Sequence, residues 1–153
     1  MYSGASARRG VMGVTLPDLD VLAAIHWRWG AHLPATVSGY YRADPPEAVM
    51  SPKWFARHDR QDHRCAVAHE VGHHLTGAVY RRDVPRAERR RLEGRAERRG
   101  LRWLVEDDDV TAAIGDGCRE VWEFAAEWEI PESAARRRLE LFLAQHPEYR
   151  IAC

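Results

Sequence analysis

The sequence predicts an α+β domain that is mostly helical, with a small β-hairpin in its first third and a helical pair at its C-terminal end. Three observations carry that class. After residue 51, apolar residues recur at helical spacing in stretches bounded by Ser, Asp, Gly or Pro where helices start or stop. The β-prone residues are confined to two short runs between 35 and 50, separated by Asp44-Pro45-Pro46. A length of 153 residues, 45% of them hydrophobic, suits one domain with an ordinary core. The expected domain spans residues 15–146, with its closing helical pair at 117–146. Residues 1–14, small, polar and Gly-rich, read as a disordered start.

Composition narrows the class of function. Basic and acidic side chains balance at 23 each, so no global field argues for a nucleic-acid or membrane partner. Lys53 is the single lysine and asparagine is absent, a skew that fits a GC-rich bacterial or phage genome. Cys65, Cys118 and Cys153 are odd in number and lack CxxC spacing, so neither a disulfide framework nor a cysteine-zinc site is indicated, and a reducing cytoplasm is expected. No apolar run approaches the roughly 20 residues of a membrane span, and the start lacks the apolar core of a signal peptide despite Arg8 and Arg9.

In chain order, a first helix is expected over 17–29. Pro17 suits a first turn, Asp18 and Asp20 favour its positive end, and Leu19, Leu22, Ala23 and His26 form an apolar stripe that Gly30 ends. On that stripe His26 reads as a packed, hydrogen-bonded histidine. Residues 35–41 and 47–50 form the hairpin. Ser51-Pro52 then caps and opens a short helix through Trp54, Phe55 and Arg57. His58 and His63, in the charged run that follows, read as polar surface.

Asp59 or Asp62 caps the next helix, expected over 60–79. Its centre reads His69-Glu70-Val71-Gly72-His73, the HExxH pattern. Histidines four apart project from one helical face about a turn apart, which makes a pincer for a metal ion. Neutral imidazoles suit Zn²⁺, and a neighbouring glutamate that does not ligate can take a proton from the metal-bound water. The pattern therefore predicts hydrolysis with Glu70 as general base. His74 points about 100° away from His73 and reads as a supporting or surface residue.

Pro85 opens a long helix to about residue 105. Its arginine-rich run 86–102 invites a nucleic-acid reading, but Glu88, Glu93 and Glu97 intersperse it, and a solvated face laced with ion pairs is the commoner explanation. Glu106 to Asp109 is an acidic cluster suited to capping the short helix that carries Val110, Ala113 and Ile114. Two helices follow, at 118–128 and 131–145, with apolar faces through Val121, Phe124, Trp128, Leu139 and Phe142. Arg136, Arg137 and Arg138 open the exposed side of the second. A helix-turn-helix reader is the alternative to this antiparallel pair, and the neutral charge favours the pair.

These residues resemble the ImmA/IrrE family of cytoplasmic metallopeptidases. The likeness is carried by His69-Glu70-Val71-Gly72-His73 and by Glu93-Gly94-Arg95-Ala96-Glu97 with Leu104 beyond it, which looks like the family's Glu-x-x-Ala helix. The Gly39-Tyr40-Tyr41 region and residues 121–139 are similar to stretches of actinobacterial members. The chain departs from the family pattern at Glu97, Arg99-Gly100 and Glu106. The resemblance implies a zincin-like, gluzincin-type domain with a small sheet, an active helix and a Glu-bearing helix; in a zinc peptidase the hairpin commonly forms the cleft edge, the alternative being a plain structural hairpin. It also implies a zinc endopeptidase that cleaves a helix-turn-helix repressor of a phage or mobile element. One Zn²⁺ is expected, with Mn²⁺ or Fe²⁺ as weaker fits to two histidines and a carboxylate.

The third ligand is expected to be Glu93. The turn between the two helices centres near Asp83, equally far along the chain from His73 and Glu93, so an antiparallel hairpin sets those residues side by side. Ala96 and Gly100, near Glu93 on the helical wheel, are small enough to let the helices approach. Glu97, about 40° to one side, competes for the role or accepts the ring N–H of a zinc-bound histidine. The opposing functional class is a non-enzymatic regulator, with structural zinc and a C-terminal helical pair that binds DNA or a repressor partner.

Overall fold

The computed structural model describes residues 17–153, and the disordered start expected at 1–14 lies outside that span. The architecture is α+β: among the described residues, seven helices accompany one three-stranded mixed sheet.

The first third departs furthest from expectation. Asp18 caps α1 (Leu19–Ala23) by accepting a hydrogen bond from the Asp20 amide at 3.0 Å, but the helix stops after 5 residues instead of reaching Trp29. His26-Trp27-Arg28-Trp29 is strand β1 (His26–Trp29). It runs parallel to β3 (Pro46–Met50), with His26 opposite Glu47 and Trp29 opposite Met50. Two tryptophans in four residues suit a pleated ladder, and this long-range pairing overrides the local helical stripe. His26 is accordingly exposed and not packed on an apolar face. The expected hairpin forms between β2 (Gly39–Ala43) and β3, antiparallel, and the sheet order is β1-β3-β2. That order leaves β2 an edge strand.

Ser51 caps α2 (Pro52–Phe55): its Oγ accepts from the Trp54 amide at 3.2 Å and donates to the Pro34 carbonyl at 2.9 Å. Asp59 caps α3 (Arg60–Thr76), accepting from the Asp62 amide at 2.9 Å. That helix ends at Thr76, short of residue 79, because Gly77 turns left-handed at φ 63°. Helix α4 (Arg86–Leu104) follows Pro85, and α5 (Asp107–Gly115) carries a reciprocal capping box between Glu106 and Asp109, the use expected of the acidic cluster.

Helices α6 (Val121–Trp128) and α7 (Glu132–Gln145) close the core through Phe124, Trp128, Leu139 and Phe142, all buried. The same cluster takes in Ile25, Ala48, Val71 and Leu104, so sheet, metal-motif helix and C-terminal pair share one interior. Arg138 corrects the expectation of an exposed arginine face. It is 1% exposed, its Nε donates to the Val105 carbonyl at 2.7 Å, and its guanidinium pairs with Asp107 at 2.5 Å. A buried cation is tolerated there because a carbonyl and a carboxylate both meet it. Past residue 146 the chain stays on the body: Tyr149 and Ile151 pack against the core and Ala152 bridges to Glu120. None of the described helices is long and apolar enough to cross a membrane.

Candidate metal centre

The site begins with how closely α3 and α4 meet. A Cβ built on Gly72 would lie 1.9 Å from the Ala96 carbonyl oxygen, and one on Gly100 would lie 2.1 Å from that of Ala68. Both obstacles are backbone, so each crossing point requires glycine. With the helices nearly backbone to backbone, Glu93, one turn before Ala96, reaches across to the pincer. Its Oε2 lies 2.9 Å from His69 Nε2 and its Oε1 lies 3.5 Å from His73 Nε2, while the two Nε2 atoms are 3.1 Å apart. His69, His73 and Glu93 thus offer one ligand atom each, all within 4.8 Å of one another, and no other group of three such donors converges among the described residues.

The histidine chemistry fits a cation. His73 is buried, and its Nδ1 lies 2.6 Å from the Ala78 carbonyl oxygen. A carbonyl only accepts, so Nδ1 carries a proton, which leaves Nε2, on the side of His69 and Glu93, as the atom that would give up its proton to bind a cation. The two rings stand at 90° with centroids 4.7 Å apart. Two imidazole nitrogens and a carboxylate suit Zn²⁺ or a similar divalent ion, and three protein ligands leave a position open for water or substrate.

Charge is arranged to match. Hydrogen bonds from His69 and then His73, with a further one from Tyr80, outweigh burial and hold the Glu93 carboxyl far below the usual carboxylate range. Burial pulls His73 down, but its hydrogen bonds to Glu93 and to the Ala78 carbonyl outweigh this and raise it overall. Glu70 moves the other way: burial pushes its carboxyl up against the lowering influence of His69 and His73. It is 1% exposed, and its Oε2 has no hydrogen-bond partner among the described residues. A desolvated carboxylate oxygen without a donor is costly, and such groups mark sites of chemistry.

Several supporting contacts were not foreseen. After Gly77 the chain doubles back, fixed by Thr76, whose Oγ1 donates to the Gly72 carbonyl at 2.7 Å and accepts from the Ala78 amide at 3.2 Å. This return places the Ala78 carbonyl on His73 and the Tyr80 hydroxyl on Glu93 Oε1, to which it donates. Burial, followed by the Glu93 carboxylate, pushes the Tyr80 phenol up to about 12, so it remains a donor. The helix expected over 60–79 ran through this stretch, so the loop has no counterpart among the expected elements. His74 stays outside the donor set, its Nδ1 2.8 Å from the hydroxyl of Tyr41 on the edge strand β2.

The remaining candidates sit elsewhere. Glu97 is exposed and lines a cavity beside His69, while the ring proton of His73 goes to Ala78. His58 and His63 are half-buried, not plain surface. They sit 2.7 and 2.8 Å from the Trp54 and Phe55 carbonyl oxygens and stack on those residues' rings. They complete the end of α2 and do not join the centre. No family model, no curated protein and no solved structure matches this chain.

Proposed function

We propose that this chain is a zinc-dependent endopeptidase with a zincin-like active helix. The observation that carries the reading is the convergence of His69, His73 and Glu93 beside a buried Glu70 whose Oε2 lacks a partner. A zinc ion held by these three would supply a Lewis acid and a bound water with a pKa of about 7. Glu70, which is not among the three ligands, would take the proton of the attacking water and deliver it to the leaving amide nitrogen. Its raised proton affinity, caused by burial, suits that shuttle. Tyr80 and the Ala78 carbonyl keep Glu93 and His73 oriented. Strand β2, an edge strand tied to α3 through Tyr41 and His74, offers a free ladder on which an extended substrate can lie.

A peptide substrate fits that edge, and the resemblance to ImmA/IrrE peptidases makes a helix-turn-helix repressor the favoured target, met in the cytoplasm. Three free cysteines agree with a reducing compartment. Structural zinc normally takes four protein ligands, whereas three converge here among the described residues, which favours catalysis over a regulator that holds zinc for its fold.

The test combines metal analysis with co-expression of a neighbouring repressor. One equivalent of zinc is expected, lost in the His69→Ala, His73→Ala double variant. Glu70→Gln should keep the ion and slow repressor cleavage by about 10²- to 10⁴-fold. Zinc below about a tenth of an equivalent, unchanged in the double variant, would reject the centre. Wild-type cleavage by Glu70→Gln, or salt-sensitive DNA binding with no cleavage at all, would reject the enzyme.

A further inference from the structure

One turn before His69 on the same face of α3 stands Cys65, and from there a cavity of about 240 Å³ opens beside the metal centre. Its wall includes buried Ala68 and Leu101 and half-buried Cys65 and Ala134, with Ser133, Glu97 and Arg137 also lining it. We propose that this cavity is a substrate subsite taking one medium-sized aliphatic side chain, leucine- or methionine-like, from the residue flanking the bond cut at the centre. The inference rests on the peptidase reading and names its substrate preference.

Position, size and chemistry each contribute. His69 lines both the cavity and the metal centre, so the two adjoin. Consecutive peptide Cα atoms are about 3.8 Å apart, so a residue adjoining a carbonyl held at His69 is within reach of the cavity. The volume falls below the roughly 300–1,000 Å³ of sites that enclose a whole small molecule or cofactor, and it admits a side chain of leucine or methionine size. Burial pushes the Cys65 thiol up to about 11, so it lines the wall as a small neutral group. Glu97 and Arg137 have opposite signs, and Arg137 also reaches Glu140 at 3.4 Å. A cationic or anionic side chain therefore meets attraction from one and repulsion from the other, and the selectivity left over is apolar burial.

Peptide hydroxamates chelate an open zinc position and need no turnover, so they separate the subsite from the chemistry. The full-length, zinc-loaded protein is titrated calorimetrically with acetohydroxamate and with hydroxamates whose adjoining residue is Gly, Leu, Lys or Asp. The Leu compound should bind about 10- to 100-fold tighter than the Gly compound, and the Lys and Asp compounds no tighter than Gly. In Ala134→Met, which fills the cavity, the Leu-to-Gly ratio should fall toward one. The wild-type series stands alone if that variant does not fold. Equal affinity for Leu and Gly, or a best ligand carrying Lys or Asp, overturns the subsite while acetohydroxamate still binds. If acetohydroxamate itself does not bind the zinc-loaded protein, the open coordination position fails, and the peptidase reading and the subsite fall together.

Discussion

Two helical hairpins in this chain solve opposite problems. In α6–α7 the contact is made by large apolar groups: Phe124, Trp128, Leu139 and Phe142 are all buried, and Phe124 and Trp128 place their rings 5.2 Å apart. In α3–α4 the contact is made by almost nothing, since Gly72 meets the Ala96 carbonyl and Gly100 meets that of Ala68. Large side chains bury apolar area and hold helices about 8–10 Å apart. Small ones give up that area and bring the backbones closer, and here the gain is a glutamate from one helix between two histidines of the other. Stability and geometry are thus concentrated in different pairs.

The largest effect should come from the apolar pair. Phe124→Ala removes a fully buried ring and should cost about 3–5 kcal/mol in chemical denaturation. Zinc affinity per folded molecule should stay within about threefold of wild type, because no donor touches that ring. A large loss of zinc affinity in the folded variant would mean that the two hairpins do not divide the work.

Gly72→Ala probes the other pair. Its new methyl meets backbone that cannot rotate away, so the helices must part, at an overpacking cost of about 1–3 kcal/mol. Its signature lies in the site: the displacement of Glu93 should weaken zinc by about 100-fold, the upper end of what lost ligand orientation costs, read by competition with a chelator. A variant that holds zinc normally would show that the close crossing does not set the donor geometry.

This division also explains what the sequence made legible. The centre was readable because its information is local and periodic: four-residue spacing for His69 and His73, and small residues at Ala96 and Gly100 on the face that bears Glu93. The hairpin was readable from Asp44-Pro45-Pro46. What escaped depends on partners far along the chain. His26 to Trp29 became a strand because β3 lies alongside it, and Arg138 is buried because Val105 and Asp107 wait for it. Tyr80 escaped because the loop beyond Gly77 takes its course from contacts with Glu93 and His73 that no local pattern announces.

Tyr80→Phe sharpens the comparison by leaving both helices alone. It removes the hydroxyl that donates to Glu93 Oε1, and outer contacts of this kind contribute about 10- to 100-fold to metal affinity. Thermal stability should change little, since the half-buried ring and the Arg89 guanidinium 5.0 Å from its centroid remain compatible with phenylalanine. Unchanged zinc affinity would make the hydroxyl incidental to the centre.

The smallest effect should be that of Glu97→Gln on zinc affinity, and it decides the placement of the third ligand. Glu97 and Glu93 are one turn apart on α4, and an error of one turn in the pairing of α3 with α4 would exchange their roles. In the structure Glu93 is half-buried with both oxygens facing imidazole nitrogens, whereas Glu97 is exposed and the ring proton of His73 already goes to Ala78. A solvent-screened carboxylate outside the donor set adds little to a bound cation, so Glu97→Gln should weaken zinc by less than about threefold. Glu93→Gln, which removes the charge that faces both imidazoles, should weaken it far more. The reverse order in a chelator competition would move the ligand one turn along α4, out of the register that the glycine-to-carbonyl contacts at Gly72 and Gly100 set.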